Sequence, residues 1–275
     1  MNKSKNHTEV AIVGGGAAGI ATASSLLKRE PSLDITIIDP AEMHYYQPGW
    51  TMVGGGIFNL PQTGRPMASV MPRAVTWKKE SVEAFEPDQN RICLSSGQTL
   101  SYDRMVVCPG LTLNWSGVEG LAETLGRNGV TSNYSYKTAS YTWELVQSLR
   151  SGRALFTQPP MPIKCAGAPQ KAMYLSSNYW LRQGLLKDID VSFYTSTPGL
   201  FGVAAYVPAL MKYVEKYRAA LHFQHTLTKV DGDTKIATFR DESGNHHEVG
   251  FDMIHVCPPQ RAPDFIRESA LADEG

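Results

Sequence analysis

Neither sign of charge is in excess in this 275-residue chain: 26 Lys and Arg are matched by 26 Asp and Glu, and the isoelectric point lies near 7. That absence excludes the clustered basic footprint on which nucleic-acid binding depends. Cysteine is scarce as well. Cys93, Cys108, Cys165 and Cys257 are far apart and form no C-x-x-C, so neither a disulfide framework nor a zinc site is indicated, and a reducing compartment is expected. His222 and His225, and the adjacent His246 and His247, have no carboxylate or thiolate partners in a ligand-like pattern. They read as solvated or helix-face histidines, and no metal is expected. Long hydrophobic runs are missing too. A long uncharged stretch, 191–211, is broken by Pro198, Gly199, Gly202 and Pro208 and makes a poor membrane span. Residues 1–9 are polar and show neither a signal nor a transit pattern, so the expected location is cytoplasmic.

What is present is a loop-rich globular composition, 42% hydrophobic with 24 Gly and 17 Pro, and enough chain for two ordinary α/β domains. The first pattern is a β-branched run over 9–14 that leads into Gly14-x-Gly16-x-x-Gly19. Ile20, Ala23 and Leu27 then recur at helical spacing up to Arg29, and a second strand over 34–39 ends in Asp39, about 20 residues past the last glycine. This is a complete βαβ unit with a dinucleotide fingerprint. Gly14 permits the tight turn, Gly16 lets the backbone approach a pyrophosphate, and Gly19 lets helix and strand pack closely. Asp39 is placed to accept from the ribose hydroxyls.

Short strands follow at 82–85, 91–94, 99–102 and 105–108, with a Ser95-Ser96-Gly97 turn, closing on Pro109 and Gly110. The α/β pattern then restarts: helix 141–149, strand 154–157, a long loop to Ala168, helix 169–182 and strand 191–195. A helix with Leu210, Val214, Tyr217 and Leu221 on one face comes next, then strands near 226–230, 235–240 and 253–257. A glycine fingerprint, a β-meander and a second α/β unit form the order of flavoproteins with two dinucleotide-binding domains, whose first domain holds FAD. The second unit lacks a G-x-G-x-x-G after its first strand, and its next strand ends in Tyr194-Thr195 instead of a ribose-reading acid. A nicotinamide nucleotide is therefore not expected there.

The loop 158–171 carries Cys165 just ahead of a helix opening with Pro169, flanked by Lys164 and Lys171. A helix start and two cations favour a thiolate, which makes Cys165 the candidate nucleophile and Lys171 its electrostatic partner. The other reading of the loop is an inert buried thiol with an outward lysine. Cys93, Cys108 and Cys257 read as packing residues remote from this loop.

The segments 44–56, 64–69 and 164–171, in this order after the glycine turn, with Tyr134-Ser-x-Lys137, Phe201-Gly-Val203 and 255–259 further on, resemble sulfide:quinone oxidoreductases of the mitochondrial and bacterial type. The resemblance covers essentially the whole chain. It implies an α/β fold of two Rossmann-like units: an FAD domain with an inserted β-meander over 7–112, a second NAD(P)-domain-like unit over 113–257 carrying the redox cysteine, and 258–275 as the start of a return segment. It implies FAD contacts at Gly14, Gly16, Ala17, Ala18, Gly19, Asp39, Gln47, Val82, Pro109 and Gly110, with catalytic roles for Cys165 and Lys171. Sulfide and a quinone are the implied substrates, with a small sulfur acceptor and peripheral contact with the inner face of the cytoplasmic membrane.

In that family one cysteine takes up sulfur while the other, which Cys165 matches, faces the flavin. Family members continue past a segment like Ala272-Asp273 into a closing strand and the partner cysteine, so the 275-residue chain is expected not to turn over as it stands. Two other readings are carried: an NAD(P)H-dependent flavoprotein disulfide reductase, and a non-catalytic nucleotide-binding module.

Overall fold

The computed structural model describes residues 6–273, which fall into two compact α/β units. The first comprises 6–45, 64–112 and 262–273; the second comprises 46–63 and 113–261.

In the first unit, strand His7–Val13 is buried along nearly its whole length, as a central parallel strand must be. It pairs in parallel with Ile35–Ile38 on one side and Thr99–Val107 on the other. Thr76–Lys78 extends the sheet beyond Ile35–Ile38, while Arg91–Leu94 and Val82–Glu86 add two antiparallel strands at the far edge. Helix Ala17–Arg29 makes the crossover from the first strand to the second. It buries Gly19 and Ala23 and closes with Lys28 and Arg29 against the negative end of its dipole. The expected strands 99–102 and 105–108 are one continuous strand, Thr99–Val107, because Arg104 continues the ladder opposite Val10. A short helix, Asp264–Arg267, packs back on this unit, with Phe265 stacked on Phe85 at 6.0 Å between ring centres.

The second unit is built on a five-stranded parallel sheet in the order Val130–Thr131, Met253–His255, Gly152–Gln158, Ile189–Thr195, Ala220–Phe223. Helix Ala168–Arg182 covers its centre and buries Met173 and Trp180, and the Trp180 indole donates to the Val146 carbonyl at 2.8 Å. Phe156, Phe193 and Val191 complete that core. A three-stranded antiparallel sheet, Thr226–Asp231, Ile236–Arg240 and His246–Gly250, packs Phe239 onto Tyr194 at 4.0 Å.

Two readings of the sequence change here. Helix Val207–Tyr217 stops at Arg218, which is left-handed, so Leu221 belongs to strand Ala220–Phe223 and not to the helix face. Residues 46–63, read as part of the first domain, group with the second. Helix Pro48–Gly54 buries Trp50 and Val53, and a Cβ on Gly54 would lie 2.1 Å from the Asn133 side chain. Such close packing fixes this segment to the second unit.

Candidate functional site

The glycine turn of the first unit is shaped by backbone approach. Gly14 has φ +103°, and a Cβ there would fall 2.3 Å from the Cys108 carbonyl oxygen. A Cβ on Gly19 would fall 1.9 Å from the Gly14 carbonyl oxygen. Neither position tolerates a side chain. Gly16 is different: its missing Cβ meets nothing within 4 Å. Gly16, Ala17 and Ala18 are exposed at the first turn of a 13-residue helix, and among the described residues no protein group accepts a hydrogen bond from their N–H groups. Free amide donors, the positive end of the helix dipole and open space in front of Gly16 fit a pyrophosphate.

Asp39 sits where the fingerprint needs an acid, and it also braces the turn. Its carboxylate accepts from the Gly15 N–H at 2.6 Å and the Ala41 N–H at 2.7 Å. A carboxylate offers about four acceptor directions, so capacity remains for a ribose. The Asp39 N–H donates to the Lys78 carbonyl at 3.1 Å, and Val82 lies four residues after Lys78. Val82 itself is buried at the head of its strand. Cys108 donates its N–H to Val13 at 2.8 Å, which anchors the strand end that Pro109 and Gly110 continue.

The second unit brings a different set together. Cys165 is exposed and bends through a left-handed conformation, φ +55°, which is uncommon for a residue with a Cβ. Its carbonyl accepts from the Ala168 N–H at 2.9 Å, so the bend closes directly onto the helix start. The Lys171 Nζ lies 3.7 Å from the Cys165 Sγ. Lys164 turns the other way. Its ammonium is hydrogen-bonded to the Gln47 side-chain oxygen and lies 5.8 Å and 5.6 Å from the ring centres of Trp50 and Tyr134. Burial holds the Lys164 ammonium below the usual lysine range. Gln47, expected as a flavin contact, thus has its oxygen committed to Lys164. The Tyr134 hydroxyl donates toward the carbonyls of Lys164 and Cys165 at 3.3 and 3.4 Å, and burial raises its pKa.

The sequence reading missed that Cys257 belongs to this cluster. It is buried among Tyr134, Ala168 and Ile163, residues that flank or underlie the Cys165 bend. Gln260 joins the two thiol segments: its Oε1 accepts from the Lys164 N–H at 2.7 Å, and its Nε2 donates toward the Cys257 Sγ at 3.8 Å. Burial pushes the Cys257 thiol up to about 12. No local pattern signals this proximity, which arises only when strand Met253–His255 runs beside Gly152–Gln158. Cys93 and Cys108 lie in the first unit, where burial raises both thiols.

Two residues earlier, His255 is fully buried and accepts at Nε2 from the Asn133 N–H at 2.9 Å; burial drives its pKa down to about 4. His222, His225 and His247 form a separate, partly exposed group. His222 stacks on Tyr194 at 4.1 Å, and His247 Nε2 lies 2.7 Å from Asp241, a carboxylate partner that the sequence spacing did not suggest.

Residues 8–140 match the profile of the pyridine nucleotide-disulphide oxidoreductase family. The chain is 42% identical over 273 residues to the mitochondrial sulfide:quinone oxidoreductase of Dictyostelium discoideum, and 38% identical over 271 residues to that of Mus musculus. Each alignment covers 98% of this chain and 60% of the relative, so the chain spans about three-fifths of their length. The crystal structure of the sulfide:quinone oxidoreductase from Aquifex aeolicus superposes with a TM-score of 0.80 at 22% identity, covering 96% of this chain and 61% of that one. That structural likeness concerns the fold.

Proposed function

We propose that this chain, which belongs by sequence to the sulfide:quinone oxidoreductase family, carries the FAD cradle and a redox thiol for oxidising sulfide, with electrons passing to a quinone and sulfur to a small acceptor. The observation that carries this reading is the Cys165 bend: an exposed thiol at a helix start, with the Lys171 ammonium 3.7 Å from its sulfur. A cation in the first helical turn opposes the dipole, so its placement beside the Cys165 sulfur marks a site for anionic sulfur.

FAD supplies a two-electron acceptor when bound. The N–H groups of Gly16, Ala17 and Ala18 hold its pyrophosphate, and Gly14 and Gly19 keep the turn close enough to do so. Asp39 takes the ribose hydroxyls, the Val82 backbone the adenine edge, and Pro109 and Gly110 complete the contacts of this unit with the cofactor. Cys165 is the redox nucleophile, matching the family's flavin-facing cysteine. The Lys171 ammonium, 3.7 Å from the Cys165 sulfur, draws hydrosulfide, an anion, to the bend. Gln47 and Tyr134 hold Lys164 and the Cys165 carbonyl in place, so the thiol stays directed outward. No helix among the described residues is long and apolar enough to cross a membrane; a peripheral membrane location is the reading taken from the family.

An anaerobic reductive half-reaction tests this assignment without requiring quinone turnover. In a chain of the family's full length reconstituted with FAD, sulfide should bleach the oxidised flavin band when Cys165 is intact. Cys165→Ser should keep FAD bound and stay unbleached, and NADH should leave the flavin oxidised. Rapid stoichiometric reduction by NADH would replace the proposal with an NAD(P)H-dependent reductase. FAD binding with no bleaching in either variant would leave a nucleotide-binding module.

A further inference from the structure

We infer that Trp77 is a positioning residue for the nucleotide: its indole holds Asp39 in the conformation that reads the adenosine ribose. The inference rests on the reading that Asp39 takes the ribose hydroxyls. It adds a residue that neither the glycine fingerprint nor the family resemblance assigns.

Asp39 stands where the sheet stops supporting the chain. Strand Ile35–Ile38 pairs with Thr76–Lys78 at the edge of the sheet, and the register ends with Ile38 opposite Lys78. The Asp39 N–H still reaches the Lys78 carbonyl, at 3.1 Å. Its own carbonyl lies past the last paired residue, and Pro40 follows. Proline restricts the preceding residue to extended backbone and brings no N–H of its own. Here the Trp77 indole N–H donates to the Asp39 carbonyl at 2.9 Å. Both backbone groups of Asp39 are thus held from the edge strand, one by Lys78 and the other by Trp77. Its carboxylate is aimed by two further donors, the Gly15 N–H at 2.6 Å and the Ala41 N–H at 2.7 Å. The fit against the glycine turn is close, since a Cβ on Gly15 would lie 3.0 Å from the Asp39 Cβ.

A phenylalanine would fill the same space as Trp77, so packing alone does not ask for an indole. The half-buried ring is covered in turn by Lys79, whose ammonium lies 4.7 Å from a Trp77 ring centre and 3.6 Å from the Glu42 carboxylate. Glu42 comes three residues after Asp39, so the 39–42 turn is tied to the edge strand at both ends. The exposed ion pair contributes little by itself. The indole bond is part-buried and directional, and it sets the plane of the Asp39 peptide. Ribose hydroxyls that donate to a carboxylate need its oxygens at fixed positions, and rotation of the Asp39 backbone displaces both oxygens together. Trp77 acts through Asp39, and its effect on binding depends on ribose hydroxyls being there to be read.

The test measures ADP binding by calorimetry, in parallel with dideoxyadenosine diphosphate, which keeps the adenine and the pyrophosphate but lacks both ribose hydroxyls. The unmodified chain should prefer ADP. Trp77→Phe should weaken ADP binding about threefold to tenfold, as expected for one hydrogen bond, and leave the dideoxy nucleotide unchanged. Trp77→Tyr, a second ring without a donor at that position, should do the same. Asp39→Asn should abolish the preference. If it does, while Trp77→Phe and Trp77→Tyr weaken both nucleotides equally or neither, the inference is overturned and the Asp39 reading stands. Failure of both Trp77 variants to fold would make Trp77 a residue of the fold alone and overturn the inference as well. An unmodified chain that binds the two nucleotides equally or binds neither, or an Asp39→Asn variant that keeps the preference, overturns the inference together with the ribose reading of Asp39.

Discussion

The chain contains the same strand–turn–helix crossover twice and uses it in opposite ways. In the first unit, strand His7–Val13 passes to helix Ala17–Arg29 through three consecutive glycines. In the second, strand Gly152–Gln158 reaches helix Ala168–Arg182 only after the long loop that holds Cys165. The glycine turn leaves the N–H groups of Gly16, Ala17 and Ala18 free for a ligand, whereas the second helix gives its first N–H, that of Ala168, to the Cys165 carbonyl. One helix start therefore recognises an anion by its backbone, and the other supports a side chain. Shared topology does not carry shared chemistry; the connecting loop decides.

The largest effect that would sharpen this contrast comes from paired glycine substitutions. Gly19→Val should unfold or severely destabilise the first unit, by about 4 kcal/mol or more, because the Gly14 backbone cannot move out of the way of a Cβ 1.9 Å from it. Gly167→Ala, at the corresponding helix start of the second unit, should cost less than about 1 kcal/mol, since its new Cβ would meet only Phe201 at 3.8 Å. Urea midpoints for the two variants measure the difference, and comparable losses would remove the distinction.

A pH dependence of intermediate size should belong to the second unit alone. Buried His255 titrates near 4 in the folded state, against an ordinary value of 6.5. The unfolded state therefore binds the extra proton over that window, and stability is full above about pH 6.5 and falls as pH drops toward 4. The loss approaches roughly 3 kcal/mol. Chemical unfolding at pH 7 and pH 4.5 should show it, and His255→Phe should flatten that slope.

The smallest effect should be the most selective. Gly16→Ala faces open space and should leave stability within about 0.5 kcal/mol, yet weaken FAD binding about tenfold or more, roughly 1.4 kcal/mol, by intruding on the pyrophosphate. Flavin titration followed by fluorescence reads this directly. Unchanged affinity would mean that the turn serves packing and not phosphate.

The same contrast explains what could be read from the sequence. Gly14, Gly16, Gly19 and Asp39 were legible because the first crossover is local: a turn, a helix and an acid about 20 residues on share one linear pattern. The second crossover was legible only in its elements. Cys165 and Lys171 stand six positions apart, but Gln47, Tyr134, and Cys257 with Gln260 join them from three separate segments, and no period or spacing encodes that meeting. Leu221 shows a different failure. Its spacing from Tyr217 suits a helix, but the left-handed Arg218 ends the helix between them. The apolar pattern alone did not register that stop.

The assignment of residues 46–63 to the second unit has a consequence for synthesis on the ribosome. Helix Pro48–Gly54 emerges early, but the parts of its unit that it packs on, including Asn133 and the helices Ala139–Ser148 and Ala168–Arg182, are still untranslated. At about 5–20 residues per second, its buried Trp50 and Val53 wait on the order of ten seconds for their partners. During that interval the apolar face of this segment is what a nascent-chain chaperone would find exposed.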